Sequence, residues 1–232
     1  LGVGALGSFA NTVNPGMGAV APPSEGTFRS LCGSRSGSVR SLFECLRCKQ
    51  GMAAAPVISY PGAFGVKVPL PGHPEAGGWE LMEFQDRFYL ASCDCQFPQD
   101  RYERVAWEGL TEFHFTLSGP VSVLSDGASA QGDDLSVVIC RIGRQASYQV
   151  TCAKGRRRSV ALFVHDTFMD TLMGGVCPEL KRVRQDLGTV GADEVYLFQL
   201  SINRKLVALV ESIVNNPFDH HRRLVYAEAK GM

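Results

Sequence analysis

Five histidines are all the imidazole this sequence holds: His73, His114, His165, His220 and His221. A facial metal site on a β-scaffold wants two or three imidazoles and a carboxylate. The candidate strand reads His114-Phe115-Thr116, so the second imidazole of an HxH pair is replaced by a hydroxyl and the metal set is incomplete. No GxSxG, no phosphate-cradling glycine loop opening a helix and no suggestive carboxylate pair is present, so no catalytic residue is assigned. The eight cysteines are few for a chain long enough to build a core without staples. Cys45 and Cys48 form a CxxC with Cys32 upstream, but no second knuckle completes four zinc ligands. In a strand, Cys93-Asp94-Cys95 points both thiols to one face, which suits a soft metal, a redox reporter or ordinary packing. Cys140, inside the run Leu135 to Cys140, reads as a small buried hydrophobe. The expected metal and cofactor complement is none.

The elements that must position these groups change in character along the chain. The first 51 residues hold nine of the 25 glycines and a net charge of +3, offset by −3 in the remainder. They read as a disordered basic extension. Met52-Ala53-Ala54-Ala55 reads as a translational start, so the natural protein is expected to begin there. Residues 52–78 are expected to be a linker or arm. From Gly78, short alternating runs separated by turn signals predict strands Trp79–Phe84, Phe88–Cys95, Leu110–Leu117, Val121–Leu124, Leu135–Ile142, Ala146–Val150 and Ser159–Val164. Thr167–Met173 and a segment from Pro178 to Leu187 read as short helices. Over Ala192–Asn215 the apolar residues Val195, Phe198, Ile202, Leu206, Leu209 and Ile213 recur at helical spacing, which predicts one long amphipathic helix stopped by Asn216-Pro217. A last helix starts at Asp219 and runs to Met232 without a stop signal, so more chain is expected beyond it.

Equal numbers of basic and acidic residues, 23 of each, leave no electrostatic footprint for nucleic-acid binding by this stretch itself. No run approaches the ~18 apolar residues of a membrane helix, and the first basic residue is Arg29, so neither a membrane partner nor a secretory leader is expected and the location reads as cytoplasmic.

Strands, then a long amphipathic helix, then a second helix, is similar to the N-terminal effector domain of AraC/XylS-type bacterial transcriptional regulators. Phe113-His114-Phe115-Thr116-Leu117-Ser118-Gly119 resembles the "HF.L.G" strand of the siderophore-sensing branch that includes the pyochelin regulator. Asn215-Asn216-Pro217-Phe218-Asp219-His220-His221-Arg222-Arg223-Leu224-Val225-Tyr226-Ala227-Glu228-Ala229-Lys230 resembles its "NPY.G..R.LYLEAK" segment, with Ala227 in place of leucine and Gly231 at the junction. The resemblance covers Trp79 to Met232. It implies a mainly β, cupin-like barrel or jelly roll (79–190) followed by C-terminal helices (191–232), a small-molecule effector of siderophore-like or aromatic kind, and DNA contact only through an absent helix-turn-helix domain. The alternative reading is a metal-dependent cupin enzyme.

Phe113, Phe115 and Leu117 share one strand face and Glu112, His114 and Thr116 the other. Because barrel interiors are usually apolar, the Phe face is expected inside and His114 outside or bonded to a loop. The expected ligand contacts are Phe113, His114, Phe115 and Tyr148, with Trp107 and Arg101 near the mouth, although core packing explains the same aromatics. Arg156-Arg157-Arg158 reads as a hairpin tip, solvated or clamping an anion. The stripe Phe198, Ile202, Leu206, Leu209 and Ile213 needs a cover, the barrel or a second subunit, and is taken as the interface of a homodimer.

Overall fold

The computed structural model describes residues 43, 57–70, 72–85, 87–106, 109–125, 128–173, 185 and 187–232. Two antiparallel sheets carry the fold. The larger, in the order β1-β2-β3-β4-β11-β6-β9-β12, is built from β1 (Val57–Tyr60), β2 (Ala63–Pro69), β3 (Gly77–Phe84), β4 (Phe88–Phe97), β11 (Gly155–His165), β6 (Leu110–Ser118), β9 (Ser136–Ile142) and β12 (Val195–Ser201). The smaller runs β5 (Arg101–Ala106), β10 (Ser147–Cys152), β7 (Val121–Ser125), β8 (Ala128–Gly132). Helices α1 (Asp166–Met173), α2 (Arg204–Val214) and α3 (His220–Gly231) complete it. This is the mainly β architecture with C-terminal helices that the family resemblance implies.

The large sheet is covered on both faces, and alternation along each strand sorts residues between two cores. On one face Met82, Phe84, Leu90, Val137, Ile139, Val160 and Val164 meet Val210 and Ile213 of α2 and Leu224 and Ala227 of α3. On the other, Val138, Cys140 and Ile142 of β9 meet Val123 of β7 and Tyr148 of β10, across the space between the sheets. β9 is therefore buried on both sides. Its sequence, Val137-Val138-Ile139-Cys140, is accordingly a continuous apolar run and not an alternating one.

α3 lies unusually close to the sheet. A Cβ on Gly65 would fall 2.7 Å from Leu224 Cδ2, and one on Gly231 would fall 3.1 Å from the Phe88 ring. Glycine at position 231, near the helix end, thus lets the ring pack. Two ion pairs strap the helix down: Arg87 to Glu228 and Arg223 to Glu80. The Arg223 guanidinium also donates to the carbonyls of Asn216 and Phe218, holding the turn between α2 and α3.

Two expectations are corrected. The long helix over Ala192–Asn215 is half strand: Val195–Ser201 pairs antiparallel with β9, Phe198 opposite Ile139, and the helix starts only at Arg204. The run Val195-Tyr196-Leu197-Phe198 has the β-branched and aromatic content of a strand with both faces covered, and Asn203 caps the true helix by accepting from the Leu206 amide at 3.0 Å. Residues 57–69, expected to be a linker, form the hairpin β1-β2 around Pro61-Gly62, with Gly62 at φ 87°. The expected disordered extension lies outside the described residues except for Phe43. That residue is helical and 2% exposed, its ring 4.9 Å from Tyr89 and 6.4 Å from Phe64. The helix expected from Pro178 also lies mostly outside the described residues, though Leu187 reaches the core.

Candidate functional site

Adjacent strands β6 and β11 carry the polar residues of the interior. Pairing puts Ala161 opposite His114 and Ser159 opposite Thr116, with the register shifting between Arg158 and Ser159. Arg157, Ser159 and Ala161 therefore share the inner face with Glu112, His114 and Thr116. Opposite them stands Tyr148 of β10, 2% exposed.

These side chains form one hydrogen-bonded chain. The Tyr148 hydroxyl donates to Glu112 Oε2. Glu112 Oε1 lies 2.9 Å from His114 Nδ1, and His114 Nε2 lies 2.6 Å from an Arg157 terminal nitrogen. A guanidinium only donates, so His114 Nε2 accepts, and its Nδ1 carries the proton given to Glu112. The other end of Arg157 reaches the Gly119 carbonyl at 3.5 Å. Gly119 sits at φ 87°, and a Cβ there would fall 2.6 Å from the Arg156 carbonyl, so this close approach requires glycine.

Burial pushes the Tyr148 phenol well above its ordinary range, and the Glu112 charge adds to the effect. The phenol is thus held neutral, as a donor. Cys140 is raised by burial first and by Glu112 second. At the other end of the interior Cys93 and Cys95 pack with Leu70, Phe97, Trp79 and Cys152. The Cys93–Cys95 hydrogen bond splits that pair, raising Cys93 and lowering Cys95, with burial raising both thiols. Arg157 sits near enough to favour thiolate at each.

One polar atom in this interior is orphaned. Thr116 is fully buried, and its hydroxyl has no partner among the described residues. It lies on β6 between His114 and Gly119, the two groups that Arg157 spans, and 3.5 Å from where a Cβ on Gly132 would be.

The face assignment made from sequence is reversed. Phe113 and Phe115 pack on the outer core with α2 and α3, and His114 points between the sheets. The helices offer the larger apolar surface and take the aromatic side of β6, which leaves the polar side to the interior. Of the expected ligand contacts, the structure brings together His114 and Tyr148 and separates Phe113 and Phe115 from them. Arg101 stacks over Trp79 and Phe97, 4.7 and 5.0 Å from the ring centroids, at the cysteine end. Trp107 lies outside the described residues. Sequence reasoning missed Glu112, Thr116 and Arg157 as interior groups. The alternation Arg157-Ser159-Ala161 was the available signal, and it was overridden by reading the arginines as a loop tip. They lie instead in β11, where Arg158 faces outward to Asp94 and, across α2, to Asn215 Oδ1 at 3.1 Å.

Of the stripe expected at a dimer interface, Ile202 and Ile213 are buried in the core of their own chain and Phe198 and Leu206 pack against it, while Leu209 is half-buried. The cover is to that extent intramolecular.

The donors do not suit a metal of the cupin-enzyme kind. Both ring nitrogens of His114 are engaged, and among the described residues no three His, Cys, Asp or Glu side chains are grouped to hold an ion. Among the same residues no helix is long and apolar enough to cross a membrane.

Residues 75–232 match the family described as the regulatory protein PchR N-terminal domain. No curated protein matches the sequence. Among solved structures, an apo single-residue variant of ToxT from Vibrio cholerae is 10% identical with a TM-score of 0.40, covering 62% of this chain and 52% of that one. ToxT from the same organism bound to (E)-4-(8-methylnaphthalen-1-yl)but-3-enoic acid is 10% identical with a TM-score of 0.38, covering 62% and 54%. The AraC-like transcriptional activator CuxR is 10% identical with a TM-score of 0.37, covering 74% and 59%. The chain thus spans about half the length of the ToxT chains it matches. With the family match extending over more than half of its residues, and both regulator-like segments inside the matched region, this chain belongs to the regulatory protein PchR N-terminal domain family.

Proposed function

We propose that this chain is the effector-binding and dimerisation domain of a regulator that works in the cytoplasm. Its DNA contacts would be made by a helix-turn-helix module outside these 232 residues. The observation that carries the reading is the buried chain Tyr148–Glu112–His114–Arg157 between the two sheets. Buried polar groups cost stability unless satisfied, and a network of this size is a costly way to fill a core. A ligand that hydrogen-bonds these groups gives the network a use. The effector class is small, aromatic or siderophore-like, held by Tyr148 and His114. Homodimerisation would use what remains exposed of α2 around Leu209 and Leu206.

Transmission follows from the two-faced strands. His114 lies between Phe113 and Phe115, which pack under α2 and α3, and Arg157 adjoins Arg158, which is bonded to Asn215 at the end of α2. An effector that binds better when these strands adopt one arrangement shifts the helices toward it. Native mass spectrometry of the full chain purified from its own host tests the reading. An organic adduct on a metal-free dimer is the expected result. One tightly held metal per chain with no adduct would overturn it in favour of an enzyme.

A further inference from the structure

Among the described residues, no carboxylate lies against the interior guanidinium of Arg157. Arg157 is 4% exposed, and its hydrogen-bond partners are a neutral imidazole nitrogen and a backbone carbonyl. Glu112, on the same face, is one imidazole away. A guanidinium has five N–H donors in a planar fork, and these two contacts leave donors over. Beside it on the same face lies Thr116, fully buried, with its hydroxyl unpartnered. An unsatisfied buried hydroxyl and a buried cation without a direct counter-ion are each destabilising, and here they share one sheet face, Thr116 standing opposite Ser159, two residues along β11 from Arg157.

We propose that Arg157 and Thr116 form the anchor for a carboxylate group, so that the ligand of this interior is an organic monoanion. The inference rests on the reading of the interior as the effector site. A carboxylate matches the fork with two parallel N–H bonds, and one of its oxygens has further lone pairs to accept the Thr116 hydroxyl. A dianion is disfavoured by Glu112 on the same face and by the surrounding apolar core. The carboxylate takes the Arg157 donor now held by His114 Nε2, which frees that nitrogen to receive a hydrogen bond from another part of the ligand. Val123, Val138 and Val150 supply the apolar wall for the rest of the molecule.

The test is a binding titration on the full chain, by calorimetry or ligand-observed NMR, with benzoate, 4-phenylbutyrate and hexanoate, each against its primary amide. Wild type is expected to prefer acid over amide by about tenfold or more, as a charge-assisted bond pair should. Thr116→Val removes an unpartnered hydroxyl with little change in shape, so it is expected to fold at least as well as wild type while losing acid affinity about tenfold. Arg157→Lys keeps the charge and loses the fork, and is expected to narrow the acid-to-amide ratio. Amides binding as tightly as acids, or acid affinity untouched by Thr116→Val, would overturn the carboxylate anchor and leave the interior site standing. Binding of neither acids nor amides in the interior would overturn the effector-site reading and the anchor with it.

Discussion

Arg223 is the residue on which the docking of α3 depends most. Its side chain is 12% exposed and that of Glu80 is 10% exposed, and the two meet through two guanidinium nitrogens and both carboxylate oxygens. The same guanidinium satisfies the Asn216 and Phe218 carbonyls, and Asn216 in turn donates to the Arg223 carbonyl at 3.0 Å. Arg223→Met leaves a buried carboxylate unpaired and two carbonyls short of a donor. Breaking a buried pair by removing one partner costs about 3–5 kcal/mol. Glu80→Met strands the guanidinium, though its two carbonyl contacts survive, so its cost should fall toward the lower end. The double variant removes both charges from a region already walled by Met82 and Leu224, and should be less destabilised than the sum of the singles by about 1–3 kcal/mol. The assay is urea unfolding, with the midpoint read at constant slope, alongside limited proteolysis for release of α3. Strictly additive single and double variants, or a loss below about 1 kcal/mol for Arg223→Met, would refute the idea that this pair straps the helix to the sheet.

Phe43→Ala should cost about 3–5 kcal/mol in urea unfolding, the range for emptying a buried aromatic site, and a protein starting at Met52 should show a comparable loss. Neutral effects of both changes would mean that this ring does not cover the inner face of Tyr89 and Phe64. Tyr148 gives a pH signature. Its phenol titrates higher in the folded than in the unfolded chain, so above about pH 10 the unfolded state releases the proton first and stability falls as pH rises. Tyr148→Phe removes that contribution and should flatten the alkaline limb of stability against pH, while costing about 1–3 kcal/mol near neutrality because Glu112 loses its donor. An unchanged alkaline limb would argue against a buried phenol there.

Much of this architecture was legible because turn signals bound short apolar-rich runs. The strands Trp79–Phe84, Phe88–Cys95, Leu110–Leu117 and Ser159–Val164 fall within observed strands for that reason. The failures have physical causes. Val195–Phe198, on the edge strand, packs side chains against both cores, so its apolar residues lose the period of two and merge with the helix that follows. Asn203 was the available break. The hairpin at 57–69 was hidden by its Pro-Gly turn and by a sequence neighbourhood rich in small residues. The site was half legible. Glu112, His114 and Thr116 were correctly grouped on one face, yet their direction depends on a fact that no strand carries: helices cover the other side. A two-sided sheet has no outside, and the rule that the apolar face points inward fails there.

The central claim is that ligand and polar chain meet at His114. Side-chain nitrogen NMR of that imidazole, recorded on the full chain before and after loading with the host-derived adduct, tests it most directly. The account predicts a neutral ring protonated on Nδ1 in the free protein and a clear shift of Nε2 on loading, as its Arg157 donor is exchanged. An adduct that loads stoichiometrically while both His114 nitrogens stay unmoved would contradict it.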